Sequence, residues 1–183
     1  TSRSGMSEKF LKLHDLTAGK FLLKKFDKII TIVPSEIEKL SKMFNVSREK
    51  SVDIPNGVED VFFGSGNASS FYKEWNINPE KWDGIVVAVG RVSYAKGIQN
   101  LKISIKKLKN VLFFIAGGDD GYLTNLKSTF VDCENIIFSE RFISPQKQLD
   151  MYAAADLLVL PSLHEAFGIV ILEALAQGVP VVS

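Results

Sequence analysis

From residue 84 onward, short unbroken apolar runs alternate with segments of helical spacing. GIVVAVG, KGIQNLKISIKKLKN, VLFFIAGG, DGYLTNLKSTF, NIIF, PQKQLDMYAAA and DLLVLPS follow one another, and a helical stretch near residues 169–177 leads into VPVVS. A strand with one wet face alternates apolar and polar residues; these runs are apolar throughout, so they belong in a sheet covered on both faces. Strand and helix in strict alternation then imply an α/β fold, a parallel sheet flanked by helices. Gly178 can take the left-handed conformation that ends a helix, and Pro180 forbids its continuation.

The preceding residues read differently. Residues 7–26 look helical, IITIV looks like a strand, residues 34–44 like a helix opened by proline, and SVDIP like a second strand. Asn56-Gly57 is a turn signal. Residues 56–83 are polar and irregular apart from a helical piece at 71–75, and read as a junction. No internal repeat is evident.

Apolar residues make up 46% of the 183, enough for a sizeable core. Lys and Arg number 22 against 21 Asp and Glu, a net charge of +1, so no global field draws the chain to nucleic acid or anionic lipid. Any phosphate must be held by local charges. The single cysteine, Cys133, has no internal partner, and the opening residues carry no secretory leader, so a reducing cytoplasm is expected. No apolar run approaches the roughly 20 residues of a membrane span.

Within HEAFGIVILEALAQG, Glu165 and Glu173 stand eight residues apart. If a helix starts near Gly168, eight residues at helical rise separate them by about 12 Å. That span suits a nucleoside diphosphate sugar. The unpaired N–H groups of residues 167–170 at such a helix start bind phosphate, aided by the dipole. The acids would repel phosphate; they suit hydroxyls, a ribose diol for Glu173 and a sugar hydroxyl for Glu165, at about 1.5–3 kcal/mol each. The alternative is structural, since acids near a helix start are favourable for dipole reasons alone. For Glu173 the helical phase opposes it: Ile169, Val170, Ile171, Leu172, Ala174 and Leu175 leave little polar face for it to join.

A diphosphate also needs cations, sought at the carboxyl ends of strands. In Gly90-Arg91-Val92-Ser93-Tyr94-Ala95-Lys96-Gly97, Arg91 ends a strand and Lys96 opens the next helix. Arg91 offers a planar fork and Lys96 a mobile point charge. Ordinary solvated loop residues are the alternative.

Taken together, IPNGVE (54–59), GRVSYAKG (90–97), FFIAGG and MYAAADLLVLPSLHEAFGIVILEALAQGVPVVS resemble, in order and spacing, the family-4 type of GT-B glycosyltransferases. These are the retaining, nucleotide-sugar-dependent "glycosyl transferases group 1". The resemblance implies a two-domain enzyme whose C-terminal Rossmann-like domain binds the donor, with this chain incomplete at both ends. Residues 1–55 would be the tail of the N-terminal acceptor domain, 56–83 the junction and 84–183 the truncated donor domain. It implies that Arg91 and Lys96, with Gly90, hold the donor diphosphate, that Glu173 holds the ribose, and that Glu165 with the Phe167, Gly168 and Ile169 backbone holds the sugar. Arg91, Lys96 and Glu165 are thus the expected catalytic groups. The resemblance places Arg141, Phe142 and Ile143 beside the base; Arg141 is read as standing where a glycine is common. It implies a UDP-, GDP- or ADP-sugar donor, an unspecified acceptor, no cofactor and no metal, in polysaccharide or glycolipid biosynthesis. The growing charge of the leaving diphosphate would fall on Arg91, Lys96 and the helix start. No nucleophile is named.

Two other readings share the fold: a nucleotide-sugar-binding module without an acceptor cleft, and a sugar-nucleotide epimerase. Asp119 and Asp120 are read as helix caps, His164 as a surface or capping imidazole, Trp75 and Trp82 as packing residues, and Cys133 as inert. The lysines at 9, 12, 20, 24, 25 and 28, interleaved with apolar residues, could lie on anionic lipid as a peripheral contact at the inner face of the membrane. Packing within the acceptor domain is the preferred reading.

Overall fold

Residues 18–165 and 167–183 are described by a computed structural model. They divide after Asn56 into two units.

In the first unit a short helix, α1 (Lys20–Leu23), precedes strand β1 (Ile29–Thr31), helix α2 (Pro34–Phe44) and strand β2 (Ser51–Asp53). β2 pairs parallel to β1, with Ile30 opposite Val52. Pro34 sits at the first turn of α2, where a missing N–H costs nothing. Asn45 ends it at φ 53, a left-handed backbone that a short amide side chain tolerates. Of the helix expected over 7–26, residues 7–17 lie outside the described residues, and α1 ends at Leu23. Lys50 Nζ then donates to the carbonyls of Lys24 and Phe26, at 2.7 and 3.0 Å.

The second unit, Gly57–Ser183, contains α3 (Ala68–Trp75), β3 (Gly84–Val89), α4 (Lys102–Lys107), β4 (Val111–Ala116) and α5 (Leu123–Thr129). There follow β5 (Ile136–Phe138), α6 (Pro145–Ala154), β6 (Leu157–Val159), α7 (Ile169–Ala176) and β7 (Val181–Val182). The strands form one parallel sheet in the order β5-β4-β3-β6-β7. The expected long helix over KGIQNLKISIKKLKN is instead a 3-10 turn, Ile98–Leu101, continued by α4.

The unbroken apolar runs serve two cores, because successive strand side chains point to opposite faces. Ile85, Val87, Leu112 and Phe114 pack with Phe71 of α3, Tyr152 of α6 and Ala174 of α7. Val86, Ala88, Phe113 and Ile115 pack on the other face with Ile105 of α4, Leu126 of α5 and Phe130. Each such fully buried large side chain contributes about 1.5–3 kcal/mol. Phe114 also takes Phe71 and Trp75 edge-on, at centroid distances of 4.9 and 4.8 Å.

Of residues 56–83, read as a junction, 57–83 fall within the second unit, and Phe62, Phe71 and Ile77 are buried in its first core. Their polar composition hid this because the apolar residues are few and widely spaced. Asn67 Oδ1 accepts from Ser70 N and starts α3. Trp75 and Trp82 pack against the same core, as expected. No described helix is long and apolar enough to cross a membrane.

Candidate functional site

The sheet order reverses between β3 and β6, so the loops that leave their carboxyl ends part to opposite sides and open a crevice there. Arg91 and Lys96 come from the loop after β3, Glu165 from the loop after β6. These loops touch because of one residue. Gly97 has φ 69, and a Cβ on it would stand 1.9 Å from the Pro161 carbonyl oxygen, so no side chain fits. Leu163 N donates to the Ala95 carbonyl at 2.8 Å, joining the loops a second time.

Across this junction Lys96 Nζ lies 2.6 Å from Glu165 Oε2. The same oxygen accepts from Ser162 Oγ at 3.2 Å. Both charged side chains are under one-third exposed, at 26% and 29%, so the pair is better shielded than an ordinary surface ion pair. Arg91 and Lys96 line one crevice of about 10 Å³ with Gly90, Leu160 and Pro161.

Arg91 also faces an acid. Its Nη1 is 3.3 Å from Asp120 Oδ2, in the loop after β4. The expectation that Asp119 and Asp120 both cap a helix therefore holds for one. Asp119 Oδ1 accepts from Tyr122 and Leu123 N–H at 2.9 Å each, and these bonds hold its carboxyl below the usual range. Asp120 instead turns to the guanidinium, a pairing invisible in sequence because it joins the ends of two strands.

α7 opens at Gly168, whose φ of 74 turns the chain from the β6 loop into the helix. Gly168 is buried, Phe167 partly buried and Ile169 exposed. The amides of residues 168–170 are the first of a helix start that follows directly on Glu165 and its lysine. Glu173 lies in the second turn, half-buried. Its Oε2 accepts from Tyr152 Oη at 3.2 Å and from Gln148 Nε2. Burial pushes its carboxyl above the ordinary glutamate value of 4.5; these two donors lower it and the charge of Glu59 raises it further. Burial and the charge of Glu173 push the Tyr152 hydroxyl up as well. Gln148 and Tyr152 were not singled out in the sequence. Their i, i+4 spacing on α6, with polar ends on an otherwise apolar face, was the available signal.

The loop after β5 is held to the loop after β4 by buried Ser139, whose Oγ accepts from Gly117 N at 2.9 Å and donates to the Arg141 carbonyl at 2.8 Å. The Arg141 side chain turns to α3: its guanidinium lies 4.8 Å over the Trp75 ring and 2.9 Å from Glu74 Oε1, which Lys147 also contacts. The residue of this loop whose backbone favours glycine is Glu140, with φ 58, one place before Arg141. Phe142 is 70% exposed, and its ring lies over Gly118, where a Cβ would stand 2.7 Å from it. Ile143 packs against the first core.

His164 is exposed. The Cys133 thiol is pushed up by burial and by Asp132, consistent with an inert residue, while Asp132 pairs with Lys102 and Lys106. Among the described residues no cluster of three or more His, Cys, Asp or Glu is placed to hold a metal ion.

The pattern that defines the family "Glycosyl transferases group 1" matches residues 72–183. An uncharacterized glycosyltransferase of Methanocaldococcus jannaschii is 31% identical over 163 residues, which is 84% of this chain and 41% of that protein. A D-inositol 3-phosphate glycosyltransferase of Mycobacterium sp. is also 31% identical, over 86% of this chain and 37% of its own length. The chain thus spans about 40% of these curated relatives. Among solved structures, the Anabaena protein Alr3699/HepE, in complex with UDP and glucose, superposes with a TM-score of 0.79 at 22% identity, covering 96% of this chain and 49% of that one. That likeness is one of fold, the parallel, helix-flanked sheet being common to both.

Proposed function

The chain belongs to the glycosyl transferases group 1 family, and from that premise we propose that it is the donor-binding part of a retaining glycosyltransferase. It takes a nucleoside diphosphate sugar, with UDP, GDP or ADP as the carrier, and serves transfer of a hexosyl-type sugar to an acceptor hydroxyl. The observation that carries this reading is the 2.6 Å contact between Lys96 and Glu165 across the switch point, with Arg91 lining the same crevice as Lys96 and Gly168 of the α7 start against Glu165. Two cations line the crevice, Glu165 meets one of them, and Gly168 at the start of α7 lies against Leu160 of the same lining and against Glu165, so the groups that an activated sugar requires stand together.

The roles follow from chemistry. The C1–oxygen bond to the diphosphate breaks, the electron pair leaves with the diphosphate, and the acceptor oxygen forms the new bond to C1. The acceptor proton departs with the nucleoside diphosphate. Arg91, Lys96 and the first amides of α7 stabilise the charge that grows on the leaving group, without a metal. Glu165, relieved of Lys96 by the incoming phosphate, accepts a hydroxyl of the sugar. Glu173 accepts from the ribose. The backbone of residues 141–143 lies beside the base. Because the chain covers less than half of its relatives, the acceptor site and turnover are assigned to the whole protein, and this segment alone binds donor without transferring it.

Calorimetric titration with UDP-, GDP- and ADP-sugars tests this reading. One of the three is expected to bind, and Arg91→Ala to weaken the nucleoside diphosphate about tenfold while the bare nucleoside is unchanged. Equal loss of both would remove the phosphate role. Asp120→Asn should act in the opposite sense. With no carboxylate competing for Arg91, diphosphate binding is expected to tighten about two- to fivefold at low salt, and the gain to vanish at about 1 M salt.

A further inference from the structure

We infer that Gln148 and Tyr152 are positioning residues for the nucleotide, acting through Glu173. This rests on the reading of Glu173 as the ribose acceptor. Both donors converge on one carboxylate oxygen, Oε2, from successive turns of α6. Gln148 Nε2 also donates to Tyr152 Oη at 3.1 Å, so the three groups close a triangle. Among the described residues nothing donates to the other oxygen, Oε1. A carboxylate has about four lone-pair sites, and fixing one oxygen removes rotation about the Cγ–Cδ bond. Oε1 is thereby presented for a vicinal diol.

The triangle has a second consequence. Glu173 is half-buried among apolar residues of α7, with Glu59 contributing repulsion from the segment before the 3-10 turn Asp60–Phe63. Gln177 Nε2 donates to the carbonyls of Phe62 and Gly64, so that segment is tied to α7 and the repulsion is fixed in place. Of the groups facing Glu173, Gln148 and Tyr152 favour its ionised form and Glu59 opposes it. Each donor therefore keeps the group in the form that accepts from a ribose hydroxyl with full charge.

The experiment uses this chain, whichever of UDP, GDP and ADP binds it most tightly, and the 2′,3′-dideoxy counterpart of that nucleotide, titrated calorimetrically between about pH 5 and 8. Gln148→Met and Tyr152→Phe keep volume and remove one donor each. Each is expected to weaken the ribonucleotide about five- to tenfold and to change the dideoxynucleotide less than about twofold. Each should also move the acid-side loss of ribonucleotide affinity to higher pH, because removing a donor lets Glu173 protonate more readily. Damage to packing alone would lower affinity for both nucleotides equally at every pH, and that result overturns the inference, as does no change on either. Glu173→Gln separates the two levels. If it leaves the ribo-to-dideoxy ratio intact, the ribose reading itself fails and takes the inference with it. If it collapses the ratio while Gln148→Met and Tyr152→Phe preserve it, only the positioning role is lost. A wild-type chain that binds none of the three nucleotides refutes both.

Discussion

Lys96→Ala is expected to weaken nucleoside diphosphate binding on the order of 10- to 100-fold, the largest loss of any single change in the crevice. Two effects add. The substitution removes an ammonium from the phosphate, and it takes from Glu165 the ammonium that stands 2.6 Å away, so that the carboxylate repels the incoming anion more strongly. A double variant, Lys96→Ala with Glu165→Gln, should therefore recover part of the affinity, a non-additivity that two unrelated loop residues would not show. The loss should shrink as salt is raised, because the lost interaction is partly with solvent-accessible charge. Titration with the diphosphate and with the bare nucleoside checks both points. A nucleoside affinity that falls as far as the diphosphate affinity would mean that Lys96 holds the loop and not the ligand.

Glu173→Gln is expected to separate binding from stability. Ribonucleotide affinity should fall about tenfold or more, since a charge-assisted acceptor is replaced by a neutral one. Stability near neutral pH should rise. The folded state raises the pKa of Glu173 above the ordinary value of 4.5, chiefly by burial, so folding favours the protonated carboxyl. Below the unfolded value both states are protonated and the group costs nothing. As pH rises through the window between the unfolded and the folded values, the folded state resists ionisation and the wild type loses stability relative to the amide. The glutamine oxygen still accepts from Tyr152 Oη and Gln148 Nε2, so the substitution leaves no buried donor unpaired. Urea denaturation of the two proteins at pH 4 and pH 7 (about half a unit below the ordinary value and well above the window) reads the sign. A glutamine variant less stable than wild type at neutral pH would mean that the carboxylate is held by stronger donors than Gln148 and Tyr152.

Much of the second unit was legible residue by residue. GIVVAVG and VLFFIAGG are strands because β-branched and aromatic residues in unbroken runs fit only a sheet covered on both sides, and β3 and β4 occupy those runs. In the first unit Pro34 marked a helix start by its ring, and α2 opens there. The acids at 165 and 173 drew notice through the apolar company they keep. The burial of Phe62, Phe71 and Ile77 was not legible, because they become core only when α6 and the first face of the sheet meet them. Arg141 illustrates the same limit. Its neighbours in sequence place it in a loop at the strand ends, but its direction is decided by Trp75 and Glu74 on α3.

The alternation of strand and helix, the turn positions and the inventory of charged groups near one helix start can be read along the chain, because they depend on interactions within a few residues. Which cation meets which acid depends on packing. Lys96 and Glu165 are 69 residues apart, and they meet because the strand order reverses between β3 and β6 and because Gly97 lets one loop lie against the carbonyl of the other. Arg91 finds Asp120, and Glu173 finds Tyr152, for the same physical reason. A charge is partnered by whatever the packed sheet brings within a few ångströms, and no local propensity encodes that distance.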